Sequence, residues 1–443
     1  MKTAKLTVFQ AVVLSVFGAL ALGAVGIFAF LTSTGGGNQI GVVRMWGTLD
    51  GSAISSVLKT LADEDTRLGQ VTYEQKDSAT YESDLANALA SGTGPDIFLM
   101  RENATEIDGG KAMIIPLSAL SARDFETTFA DASSVYMTEN GALAVPFMID
   151  PLVLYWNRDM LAAAGYSQAP QYWDEFYDIA NKVSARDDSN SITRSAVALG
   201  EYENVDNAKE ILSALIMQAG GAITAEDNQG KIFSALGGRG SGTSTPQLST
   251  ESALRFYTEF SNPSKSDYSW NRSLPTASDS FSAGNLALYA GLASEATQIL
   301  KKNPNLQYGI ATFPQVRGQQ AGKLRFVDSG HMYALAISKN SKNPQGALTV
   351  AFLLAGVSTE GALSDVLQLA PARRDLLGKK TPDTSGLFKS QAIITRFWKD
   401  PDPDKTGDIF RDMIEGVTSG ALRLSEAVGR ADQQMGALLG IGS

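Results

Sequence analysis

The chain carries few side chains able to form or break covalent bonds. It has no cysteine and a single histidine, His331. Thiolate nucleophiles, disulfides and Cys/His zinc sites are therefore excluded. Carboxylates, guanidinium groups and aromatic rings remain. Three predicted strands end in such groups: Trp46 closes "VVRMW", Asp77 and Tyr81 follow "VTYEQ", and Arg101 with Glu102 follows "DIFLM". Arginine and carboxylates form paired or charge-assisted hydrogen bonds, and Trp and Tyr offer an apolar face with a polar handle. A carboxylate pair such as Glu102 and Asp150 also suits acid–base hydrolysis of a glycoside. His331 stands beside Gly330 and reads as a packed or hydrogen-bonded residue facing a ligand rather than a catalyst.

Familiar catalytic patterns are absent. No P-loop, dinucleotide fingerprint, "HExxH" or "GxSxG" occurs. The stretch "DPDPDKTGD" (400–408) spaces Asp400, Asp402 and Asp404 like a calcium loop. Lys405 stands where that loop needs Gly, and Arg411 where it needs Glu, so a solvated acidic turn is expected. Neither a metal nor a cofactor is expected.

The elements that must position these groups are legible in the pattern. Ile54, Val57, Leu58 and Leu61 form a helical stripe, and Tyr81, Leu85, Ala88 and Leu89 form a second. With the three strands above they make β-α-β-α-β, the unit of a right-handed parallel sheet. Ligands gather beyond the carboxyl ends of such strands. "PQYWDEFYDIANKV" (170–183) predicts a helix with Trp173 and Phe176 on its buried face, and Leu212–Gln218 predicts another. Strands are expected at 285–289, 308–314 and Met332–Ile337. Asn343, Pro344 and Gly356 bound a helix as cap, first residue and stop. Within "VPFMIDPLVLYW" (145–156), Asp150-Pro151 interrupts an apolar run. A core strand tolerates neither an unpaired carboxylate nor a missing donor, so a crossing between two lobes is expected there.

Length and composition agree with two lobes. The chain has 443 residues, more than one core usually organises, with 44% hydrophobic and 19% charged residues. Its net charge of −10 offers no basic field for nucleic acid. At the N-terminus Lys2 and Lys5 precede Leu6–Thr32, a stretch without charge. That exceeds the ~20 residues a spanning helix needs. An uncleaved anchor with the rest of the chain outside is expected, with a signal cleaved near Ala19-Leu20-Ala21 as the alternative. Residues 1–33 are thus anchor or signal, and 34–39 a flexible spacer.

Four segments carry a resemblance. They are "SGTGPDIFLM", "VPFMIDPLVLYWNRDMLAAAG…APQYWDEFYDIANKV", "FSAGNLALYAG" and "AISKNSKNPQGALTVAFLLAG". Their order and spacing over most of residues 40–360 resemble the extracellular solute-binding proteins of ABC importers, the maltose-binding-like group. Some features depart from the family pattern. Tyr172 replaces the usual Thr before Trp-Asp-Glu, no lipidated Cys is present, and Leu292 to Glu295 replace the aromatic that often follows the glycine matched by Gly291.

The resemblance implies an α/β, two-lobe periplasmic-binding-protein-like fold of type II. Each lobe is a sheet flanked by helices, preceded here by an N-terminal transmembrane helix. It implies lobes of 40–147 plus 296–340 and 151–293 plus 343–443, with crossings near 148–151, 291–296 and 338–344. It implies capture of a solute between the lobes by hinge closure, with a carbohydrate as the expected class and permease subunits as partners. The expected ligand-facing set is Trp46, Asp77, Tyr81, Arg101, Glu102, Asp150, Trp270 as a lid, Glu295 and His331. A receptor for another polar solute, polyamine-like, and a carboxylate-dependent glycoside hydrolase are the alternatives.

Overall fold

The computed structural model describes residues 40–238, 246–317, 326–379 and 381–440. The expected membrane helix and the spacer lie outside the described residues, as does part of the loop at 237–250. Among the described residues no single helix is long and apolar enough to cross a membrane.

The predicted β-α-β-α-β unit is present: β1 (Val43–Gly47), α1 (Gly51–Glu64), β2 (Val71–Gln75), α2 (Tyr81–Ala90) and β3 (Ile97–Arg101). Asp50 caps α1 by accepting from Ala53 N–H at 2.8 Å, and Ile54, Val57 and Leu58 are buried beneath it. All four predicted stripe residues of α2 are buried. Then comes β4 (Val145–Asn157), a thirteen-residue strand buried along nearly its whole length. After it follow α3 (Glu175–Val183), β5 (Ala185–Arg186), β6 (Ile192–Val197), α4 (Ala208–Gln218), β7 (Leu286–Leu292), β8 (Tyr308–Thr312), β9 (Gly330–Ile337), α5 (Pro344–Leu354), β10 (Ala370–Pro371) and α6 (Pro403–Thr418). The cap at Asn343 forms as expected, accepting from Gly346 N–H at 3.0 Å.

The ten strands form one mixed sheet in the order β2-β1-β3-β9-β4-β7-β6-β5, with β8 and β10 also on β4. β4 changes partners along its length. Residues 145–151 pair with β9, and Met148 and Ile149 also pair with β10; residues 152–157 pair with β7 and β8. Asp150-Pro151 therefore does not interrupt the strand. Pro151 sits where the partners change, so its missing N–H costs no ladder bond. Opposite Pro151 stands Gly330 at φ +144°, where a Cβ would lie 2.2 Å from the Asp150 carbonyl oxygen. Only glycine fits that approach.

The result is a mixed α/β fold of two lobes that share β4. Pairing departs from the expected division in two places. The turn at Ala293–Glu295 leads into a helix (Ala296–Lys302) and then β8, which pairs with residues 153–157 on the edge of β4 opposite β7. Residues 296–312 thus stay with the second half of the sheet, and the chain rejoins the first half only at Gly330. After β9, Ser338 N–H donates to the Asp96 carbonyl, and α5 packs on β1 and β9, so 338–354 remains with the first half. The physical reason is non-local: strands 308–312 and 330–337 are both short and apolar, and only the opposite halves of β4 tell them apart.

Candidate functional site

Three expected ligand residues meet at the carboxyl end of β3. Arg101 is the last residue of β3 and pairs in register with Tyr333 of β9. Its Nη2 lies 2.7 Å from His331 Nδ1 and 2.9 Å from Nε2. Glu102 Oε1 lies 3.0 Å from His331 Nδ1, and its Oε2 accepts from Met332 N–H at 2.7 Å. With Nδ1–H donating to Glu102, Nε2 is left to accept from Arg101, so the imidazole links the two charges. Burial opposes ionisation of Glu102, yet His331, Arg101 and the Met332 N–H together hold its carboxyl below the usual range. Arg101 Nε is buried without a partner.

Asp150 is the cross-strand neighbour of His331. It is buried, and Oδ1 accepts from Ser294 N–H at 2.9 Å. Burial raises its pKa, and the bond from Ser294 offsets this only in part. Asp150 therefore fastens β4 to the turn after β7 at the junction of the lobes.

The remaining expected residues stand elsewhere. Tyr81 is buried, and its hydroxyl donates to the Leu99 and Trp46 carbonyls at 2.9 and 3.3 Å, stitching β3 to β1. A side chain so engaged belongs to the core and not to a ligand. Trp270 is likewise no lid. It is 0% exposed, with Nε1 donating to Asn204 Oδ1 at 3.1 Å. The polar residues around it in sequence have other partners, Ser269 accepting from the Ala196 and Val197 N–H, Asn271 donating to the Tyr268 hydroxyl and Arg272 to Glu201, and leave the ring to pack. Asp77 is exposed and caps Ala79 N–H at 2.9 Å. Trp46 is half-buried with the Lys76 ammonium 3.7 Å from its ring centroid. Glu295 accepts from Leu292 N–H at 3.0 Å, from Asn207 Nδ2 at 2.9 Å and from the Tyr289 hydroxyl, which closes the turn after β7.

A cleft opens beside Glu102 and Asn103, floored by Ser329 and Gly330. Its far wall comes from two segments that the sequence reading did not single out. One is the first turns of α4, with Lys209, Glu210 and Ser213; the other carries Phe397, Trp398 and Asp400. Lys209 joins them. Its ammonium donates to Asp400 at 2.7 Å, to Thr406 Oγ1 at 2.6 Å and to the Pro403 carbonyl at 3.1 Å, and lies 5.4 Å from the Trp398 ring centroid. The other stacking neighbour of Trp398 is Phe410, at 6.1 Å. The acidic turn is thus not simply solvated: Asp400 is 1% exposed, and Asp402 caps α6. The available signal was the helix start, since α4 begins four residues before the predicted Leu212 and its first turn supplies the wall.

This geometry is a cleft between lobes with charged groups on both walls. A family model for bacterial extracellular solute-binding proteins matches residues 58–355. The chain belongs to that family. Among curated relatives, the diacetylchitobiose-binding protein DasA of Streptomyces coelicolor is 22% identical over 417 residues, 87% of this chain and 91% of DasA. Among solved structures, the cyclic α-maltosyl-1,6-maltose-binding protein of Arthrobacter globiformis superposes with a TM-score of 0.71 at 16% identity, over 90% of this chain and 99% of that one. The GacH receptor of Streptomyces glaucescens, solved unliganded and with acarbose, gives 0.68 at 16% identity over 91% and 99%. At these identities the structural likeness establishes the two-lobe fold of the family, and the ligands belong to those proteins.

Proposed function

We propose that this member of the solute-binding family captures a carbohydrate in the inter-lobe cleft and delivers it to an ABC importer. The observation that carries the reading is the wall opposite Glu102 and Asn103. There the half-buried Glu210 carboxylate, with Ser213 buried behind it, stands beside the half-buried ring of Phe397. Hydroxyl partners next to an aromatic face are what a sugar ring requires. The ligands of the three relatives named above, two saccharides and acarbose, support the same class.

Binding without catalysis fits the carboxylates. Both oxygens of Glu102 are engaged, by His331 and Met332, and Asp150 is buried on Ser294. Neither is placed to act as the free acid of a hydrolase pair. Calorimetric titration with a panel of mono- and disaccharides is expected to give at least one saturable sugar that is recovered unchanged. Turnover, or binding of polyamines alone, would count against the reading.

The hinge would comprise the partner switch in β4 near 150–152, the approach to β9 at 326–330, and the passage from β10 toward α6. One lobe would then hold 40–150 with 330–373, and the other 152–238, 246–317 and 396–440. Leu6–Thr32 would tether the protein to the outer face of the membrane. Protease added to intact cells should then digest the lobes and leave a small membrane fragment; full-length protein in the cytosol would exclude this.

A further inference from the structure

We infer that the cleft selects a sugar bearing an ammonium group, and that Glu210 is the residue that reads it. The inference rests on the carbohydrate reading above and deepens it. Glu210 and Ser213 lie three residues apart on α4, hence on one face, and both line the cleft. Among the described residues the Glu210 carboxylate has no ion-pair or hydrogen-bond partner. Ser213 is 1% exposed, and its buried hydroxyl also lacks a partner. Glu210 is half-buried and keeps access to solvent; the orphaned group beside it is the buried Ser213 hydroxyl, and it is this that calls for a partner.

The charges around them set its sign. Lys209 is consumed by Asp400 on the same wall. On the facing wall Glu102 lines the cleft next to the half-buried Arg101, and its carboxyl is held below the usual range. Arg101 also feels the charge of Glu210, but no ion pair forms between them, so one guanidinium faces two carboxylates. Burial moves Asp150 toward its neutral form. Of the three carboxylates that line the cleft, Glu102 and Asp400 are partnered, and Glu210 alone has no partner among the described residues. Closure of the lobes would strip water from that carboxylate, which is costly unless a cation or strong donor replaces it. A protonated amine on a sugar supplies the charge, the neighbouring ring hydroxyl reaches Ser213, and Phe397 covers the ring face. A neutral sugar would leave Glu210 with hydroxyl donors only.

The test uses matched sugars that differ in one group: glucose, glucosamine and N-acetylglucosamine, with the galactose series and the β-1,4-linked disaccharides of the glucose series. Titration calorimetry at neutral pH and low salt should show an amine form bound at least about tenfold tighter than its neutral match. The margin should shrink with added salt. It should vanish in E210Q, which should weaken the amine form at least about tenfold more than its neutral match, and narrow in S213A. Thermal melts establish that both variants fold. Equal or tighter binding of the neutral or acetylated match would overturn the Glu210 role and leave the carbohydrate reading standing. So would a margin retained in E210Q. Binding of spermidine without any sugar, weakened by E210Q, would overturn the carbohydrate reading and keep the role of Glu210. Failure of every amine sugar and of spermidine would overturn the inference.

Discussion

Replacing Glu102 with alanine is expected to lower folding stability by about 3–5 kcal/mol, the usual cost of removing one partner from a buried charged network. Three groups lose their acceptor or counter-charge together. The Met332 N–H in β9 is orphaned, His331 loses its carboxylate partner, and the half-buried Arg101 loses its adjacent counter-charge. The effect should depend on pH. The Glu102 pKa is depressed in the folded chain, so its contribution is present above the unfolded carboxylate value, near 4, and is lost as pH falls through the folded value. Denaturant melts of wild type and E102A should therefore converge in acid and diverge toward neutral pH. E102Q keeps an acceptor for Met332 and should fall between them. A neutral-pH difference below about 1 kcal/mol would show that the network does not hold the two strands together.

Replacing Lys209 with methionine should be comparably damaging, again about 3–5 kcal/mol. Asp400 would be left buried with Thr406 as its remaining side-chain donor. Burial already raises the Asp400 pKa, and Lys209 is the largest influence holding it down. Without the ammonium Asp400 should take up a proton on folding, so the variant should lose further stability as pH rises. Lys209 also ties α4 to the segment bearing Phe397 and Trp398. Affinity for any cleft ligand should therefore fall with stability. The double variant K209M/D400L removes both charges and should recover most of the stability, since a buried ion pair is often replaceable by apolar residues of similar size. Equal melts for K209M and wild type would mean that the pair contributes nothing.

What was legible in the sequence was local. The stripes of α1 and α2, the cap at Asn343 with Pro344, and the β-α-β-α-β order follow from spacing within a few turns. They place Arg101 and Glu102 at a strand end, and the structure brings His331 to them. What was not legible depends on distant pairing. Lys209 and Asp400 are 191 residues apart in sequence, and no local pattern marks either. Trp270 sits among Ser, Asp, Asn and Arg, yet it is packed beneath Asn204, because those neighbours are satisfied by backbone and loop contacts. Asp150-Pro151 does mark a junction, though not by breaking the strand. The sequence signal was a missing donor, and the structure spends it where β4 exchanges one set of partners for another.

The central claim is that a carbohydrate is held between two lobes that close on it. Capture of this kind requires the ligand to favour the closed arrangement through contacts made only there. Small-angle X-ray scattering of the protein, alone and saturated with the sugar that calorimetry selects, tests this directly. The account predicts a smaller radius of gyration and a shorter maximum dimension with sugar bound, in wild type and not in a variant that has lost affinity. Superimposable curves with and without saturating sugar would contradict it.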